Sequence, residues 1–230
     1  MTFDDAFDRF SRHLLPDGMP ASLARRLRPL ASLENLSRRK MTTLDAQREH
    51  FVFIAAGSTK LVALDADQSE QIVDFQFGGD CLHLPQAGLH DYRLIAMRNA
   101  RLLVFDAEAM RAIACDTPML AEAMARCTLS ALHRARENLV TMGRRSATER
   151  VASFLLSMRE IEQVTEDGGR SLTLVMTRKE IADCLGLTVE TVSRQFTKLR
   201  DLGLIATPSR TLVRLHDPAR LAAEAGSLAA

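Results

Sequence analysis

Glu190, Ser193 and Arg194 stand at i, i+3 and i+4 within "TVETVSRQFTKL", residues 188–199. On a helix that spacing sets a carboxylate, a hydroxyl and a guanidinium on one face. Val189, Val192, Phe196 and Leu199 recur on another face and make it apolar. Two chemistries use such a polar patch. One is a solvated Glu–Arg pair, worth about 0.2–0.5 kcal/mol. The other is the reading of DNA base edges. A guanidinium matches the two acceptors of guanine, a carboxylate accepts from the cytosine amino group, and a hydroxyl serves either role.

The flanking sequence favours base reading. "TRKEIADCLGLTVETVSRQFTKLRDLGLI" (177–205) has helix-turn-helix grammar. Thr177 and Glu180 have the spacing of a capping box, Ile181, Ala182 and Leu185 form an inward face, and Gly186 makes the turn. Thr188 caps the second helix and Gly203 ends it. "LIATPSRTLVRLH" (204–216) then predicts a two-stranded wing turning at Pro208, Ser209 and Arg210. Around the base-reading patch, Arg178, Thr188, Thr191, Lys198 and Arg210 are candidates for phosphate contacts. Residues 177–214 hold seven basic and four acidic side chains, although the whole chain carries a formal charge of only +1. Any field for nucleic acid is therefore local.

Before this reader, "ASLARRLRPLASLENL" (21–36) carries Leu at helical spacing, and residues 1–46 read as helical and polar. From His50 the texture changes to short β-rich runs: "HFVFIAAG", "STKLVALD", "EQIVDFQF", "YRLIAM" and "RLLVFD". Their spacing predicts a small antiparallel sandwich or roll. Helical texture returns near Ala107. Residues 118–142 contain no internal Gly or Pro after Pro118, and Ala121, Ala125, Thr128, Leu132, Ala135, Leu139 and Met142 follow a heptad seam. That seam can pack on its own domain or pair with a second copy, and its length favours a homodimer. Gly143 is expected to end this helix and Ser146 or Thr148 to cap the next, with a turn at "TEDGGRS" (165–171) and a short strand at "SLTLVM" (171–176). The domains expected are a β-roll with flanking helices over 1–106, a dimerisation helix over 107–143 and a winged helix-turn-helix over 144–230. The fold class is α+β.

At 230 residues the chain can bury two modest cores. The first twenty residues start acidic and lack the apolar centre of a secretory leader, and no stretch reaches membrane-span length, so the expected location is the cytoplasm. Trp is absent and Tyr occurs once, leaving little platform for stacking single-stranded nucleic acid. Cys81, Cys115, Cys127 and Cys184 are scattered, with no CxxC pair, and are expected to be reduced thiols.

The "EIADCLGLT" segment, the Glu-x-x-Ser-Arg pattern at 190–194, and the order roll, long helix, winged helix resemble the CRP/FNR superfamily of bacterial transcription regulators, nearest its FNR and FixK branches. The resemblance implies a homodimer reading palindromic double-stranded DNA with TTGA-type half-sites through Glu190, Ser193 and Arg194. It also implies RNA polymerase as a partner, and low-oxygen or nitrogen-oxide respiration as the theme. Three sensor chemistries of the superfamily fit this chain poorly. Residues 1–80 lack the cysteines of an iron–sulfur centre. Asp91-Tyr92 replaces the Arg and Ser or Thr that grip a cyclic-nucleotide phosphate. Cys81 and His83 in "GGDCLHLP" resemble the haem ligands of the carbon-monoxide sensor, but their offset from the Gly-Asp turn differs. The expectation is no cofactor, with a haem- or small-ligand-gated sensor as the alternative. Cys184, just before Gly186, is a small apolar filler or a redox-sensitive thiol near the DNA.

Overall fold

The computed structural model describes residues 1–144, 146–161 and 171–226. It divides into two compact units, Met1–Arg134 and Ala135–Ala230. The predicted turn at 165–171 falls outside the described residues except for Ser171.

The first unit opens with α1 (Phe3–Leu14) and α2 (Ala21–Leu27), continued by a single 3-10 turn at Arg28–Leu30. Seven strands follow: β1 (Ala31–Leu36), β2 (His50–Ala56), β3 (Ser58–Leu64), β4 (Glu70–Phe77), β5 (Cys81–Leu84), β6 (Asp91–Ala96) and β7 (Ala100–Asp106). They form two antiparallel sheets, ordered β1-β7-β2-β5 and β4-β3-β6. Leu36, Val52, Ile54, Leu94, Leu102 and Val104 fill the space between the sheets. On β2 the alternate residues Phe51, Phe53 and Ala55 point the other way, into a second core beneath α1. Phe10 of α1 packs there, 4.7 Å centroid to centroid from Phe105. Because both faces are covered, residues 51–55 read as one unbroken apolar run.

The leucines of 30–36 are not helical. Leu30 ends the 3-10 turn, and Ala31–Leu36 pairs residue for residue with β7, from Ala31 opposite Phe105 to Leu36 opposite Ala100. Pro29 helps to end the helical run, since it has no backbone N–H to continue it. The free edge of β7 then captures the chain.

After α3 (Ala107–Ala114) comes α4 (Pro118–Arg144), a single 27-residue helix. Its two ends belong to different units. Gly143 lies inside its last turn rather than beyond it. The second unit continues with α5 (Ala147–Ile161), β8 (Ser171–Thr173), α6 (Arg178–Leu185), α7 (Val189–Asp201), β9 (Ile205–Ala206), β10 (Leu212–Leu215) and α8 (Pro218–Glu224). β8, β10 and β9 form a three-stranded antiparallel sheet in that order, so the wing has one strand more than its hairpin. Ser146 caps α5, its Oγ accepting from Glu149 N at 3.3 Å.

Candidate nucleic-acid interface

α7 carries the candidate base-reading patch, and local chemistry fixes both ends of the turn that joins it to α6. Thr177 Oγ1 accepts from Glu180 N (3.2 Å) while Glu180 Oε2 accepts from Thr177 N (2.8 Å), closing the capping box. Gly186 ends α6 at φ 61°, ψ 42°, a left-handed conformation that glycine adopts without strain. Thr188 then caps α7, its Oγ1 accepting from Thr191 N at 3.1 Å.

On α7, Val192, Phe196 and Leu199 are buried, which turns Glu190, Ser193, Arg194 and Thr197 to solvent. Ser193 Oγ donates to Val189 O at 2.8 Å and keeps its lone pairs for an incoming donor. Arg194 Nη2 donates to Thr191 Oγ1 at 3.3 Å. Among the described residues no ion pair joins Glu190 to Arg194, so the solvated pair considered above is not formed.

The five flanking residues divide. The Thr188 and Thr191 hydroxyls bond each other at 3.0 Å and serve the cap. The Arg178 guanidinium lies 3.4 Å from the centroid of Phe196, where burial lowers its pKa. Lys198 Nζ donates to Thr148 Oγ1 at 3.1 Å, and Thr148 Oγ1 donates to Gln195 Oε1 at 2.8 Å. These bonds pin α7 to α5. Arg210 is exposed at the wing turn.

Two positioning residues escaped the sequence reading. Thr148 looked like a cap, but its hydroxyl is buried against α7. Arg150 on α5 donates from Nη1 to Leu185 O (3.0 Å), at the end of α6, and from Nη2 to Met142 O in the last turn of α4. A basic residue at "TER" carries no local sign of either partner.

The heptad positions Ala121, Ala125, Thr128, Leu132, Ala135, Leu139 and Met142 are all exposed along α4. Leu132 leaves 42% of its surface in water, Leu139 66% and neighbouring Val140 52%. A different stripe of the same helix, including Leu120, Ala123, Met124 and Cys127, faces its own unit.

The cysteine and histidine candidates have separate partners. The Cys81 thiol is buried and shares a cavity lining with Cys127. His83 Nε2 lies 3.5 Å from Glu49, which also binds Arg111. Cys184 is half-buried on α6. Asp91 accepts from Arg93 Nε at 2.8 Å, so that carboxylate already has its cation.

A Crp-like helix-turn-helix domain model matches residues 149–224. The nitrogen fixation regulation protein FixK of Bradyrhizobium diazoefficiens is 36% identical over 77% of this chain and 74% of its own. The transcriptional activator protein FnrL of Cereibacter sphaeroides is 30% identical over 75% of this chain and 71% of its own. The structure of FixK2 from Bradyrhizobium japonicum superposes with a TM-score of 0.75 at 25% identity, covering 87% of this chain and 98% of that one. A sandwich followed by a long helix and a winged helix-turn-helix defines a DNA-binding transcription regulator. The chain belongs to the CRP/FNR family and is FixK-like. No described helix is long and apolar enough to cross a membrane.

Proposed function

We propose that the chain acts in the cytoplasm as a homodimer on palindromic sites with TTGA-type half-sites, with RNA polymerase as its partner, and controls genes of low-oxygen or nitrogen-oxide respiration. The observation that carries this reading is the exposed, mutually unpaired Glu190–Ser193–Arg194 patch on a capped helix. Such a helix fits the major groove with its N-terminal residues against base edges. In this reading Arg194 reaches O6 and N7 of the half-site guanine. Glu190 accepts from an amino group on the paired strand, and Ser193 touches a neighbouring base. The exposed stripe on α4 supports the dimer, and reading a palindrome requires its two α7 helices to lie one DNA turn apart, about 34 Å. The respiratory theme rests on the sequence's resemblance to the FNR and FixK branches alone.

The test is binding of variants to a panel of half-site substitutions at fixed salt. Arg194→Ala should lose about 1–3 kcal/mol of discrimination at each of the two symmetry-related guanines. Glu190→Ala should relax one base pair per half-site while non-specific binding stays equal or rises. A carboxylate near phosphates is repelled unless a base amino group compensates it. Arg210→Ala should weaken all sequences alike and flatten the salt dependence by about one per lost phosphate contact. Uniform weakening by Arg194→Ala, with the ranking of sites intact, would reduce the patch to a solvated face.

We also propose that no resident haem, cluster or cyclic nucleotide is needed. Cys81 and His83 are engaged with Cys127 and Glu49, and Asp91 is paired with Arg93. These partners favour the cofactor-free reading over a haem-gated one.

A further inference from the structure

Cys81 and Cys127 are distant in sequence but share one place in the fold. Cys81 is the first residue of β5, just after the Gly78-Gly79-Asp80 turn. Cys127 lies on the stripe of α4 that packs against the same core. The two side chains influence each other's ionisation, and both line a cavity of about 230 Å³ with Asp80, Arg126 and Arg134. Cys81 is 6% exposed, while Cys127 is half-buried and reachable through the cavity.

We infer that Cys81 and Cys127 form a peroxide-sensitive dithiol, in which Cys127 is oxidised by a small hydroperoxide and Cys81 resolves it to an intramolecular disulfide. Three arguments assign the roles. Cys127 is the more exposed of the two, so it meets the oxidant first. The neighbouring Cys81 side chain, with Arg126 and Arg134, holds its pKa below the ordinary thiol value against the opposing effect of burial. Cys81 has Cys127 beside it, is buried, and has Asp80 nearby, so its thiol is held well above the ordinary range. One sulfur is therefore disposed to ionise and the other to keep its proton until it is needed.

The reaction balances with the hydroperoxide as sole oxidant. The Cys127 thiolate attacks one peroxide oxygen. The O–O bond breaks, and the leaving oxygen takes a proton to become water or an alcohol. Cys127 is now a sulfenic acid. The Cys81 sulfur attacks Cys127 Sγ, its proton passes to the departing hydroxyl, and water leaves as the S–S bond forms. Two sulfurs have lost two electrons in total, and the two peroxide oxygens have gained them. A dithiol reductant reverses the change by exchange.

The experiment treats the purified reduced protein with hydrogen peroxide, then alkylates it and maps peptides by mass spectrometry. The expected result is a peptide pair joined through Cys81 and Cys127 within one chain, lost on reduction with dithiothreitol. Cys127 should react on the order of tenfold faster than Cys115, which is exposed but has no thiol partner. In Cys81→Ala, a sulfenic acid at Cys127 should be trapped by a dimedone probe. Cys127→Ser, a near-isosteric change at a half-buried position, should abolish the cross-link while leaving the fully buried core side chains in place. Oxidation confined to Cys115 or Cys184, a bridge between two chains, or Cys127 reacting no faster than Cys115 would each overturn the assignment. The readout is sulfur chemistry alone and is independent of which DNA sites the chain reads.

Discussion

The guanidinium of Arg178 lies 3.4 Å from the centroid of Phe196, and that ring is one of the three anchors of α7. A cation at this position clamps the two helices of the reader, and the sequence gives no hint that it turns inward. Arg194, at the same level of sequence description, stays exposed because its helix position is opposite the anchors. Partial burial also marks His13, in the last turn of α1. Its ring lies 5.6 Å from that of Phe53, and burial lowers its pKa. The positive charges of Arg9 and Arg126 add to this, and Asp80 opposes it. A histidine with a depressed folded pKa disfavours the proton in the native state. Stability is then full above the unfolded value near 6.5 and falls as pH drops through that value towards the folded one. Thermal unfolding of the wild type should show this loss as pH falls below about 6.5. His13→Gln should flatten that part of the profile, and an unchanged slope would assign the loss to other groups.

At the scale of elements, α4 carries two stripes with different fates. The one through Leu120, Ala123 and Cys127 is spent on its own unit. The heptad stripe lies roughly 100° further round the helix and stays in water. Leu132→Asp or Leu139→Asp would place a charge in the proposed seam, which costs several kcal/mol when buried between helices. Sedimentation should then show monomer, with operator binding lost. Dimers persisting in both variants would rule the seam out. Elements of this length were legible because their periodicity is internal, and the same holds for the helix-turn-helix, whose caps and turn are set within a few residues. β1 was not legible. Leu30, Leu33 and Leu36 fit one helical face, and what makes a strand of 31–36 is the ladder offered by β7, far along the chain. β5 was missed for a similar reason, being four residues long and held by β2. The base-reading candidates could be named from one helix. The shared cavity of Cys81 and Cys127 and the Lys198–Thr148 bond could not, since each depends on a partner from a distant element.

For the molecule as a whole, the cofactor-free reading proposed above predicts a plain spectrum. Protein purified without oxygen should show no Soret band and no iron–sulfur absorbance, and should bind cyclic AMP no better than an unrelated protein does. A stoichiometric haem that disappears in His83→Ala would promote the gas-sensor alternative. Specificity of the wild type should likewise be a property of the assembly. In the proposed homodimer both half-sites contribute, so a half-site change should cost twice in a symmetric operator and once in an asymmetric one.

Arg150 bonds the carbonyls of Met142 and Leu185, each in the last turn of a helix, where backbone oxygens lack partners of their own and the helix dipole is negative. One cation therefore serves as the common fastener of two helix ends. The tail of α4 cannot twist or slide freely past the turn that precedes α7. It must carry that turn along or give up a charged hydrogen bond, worth about 1.5–3 kcal/mol. A load-limiting clutch has the same property: it couples two parts up to the strength of its grip.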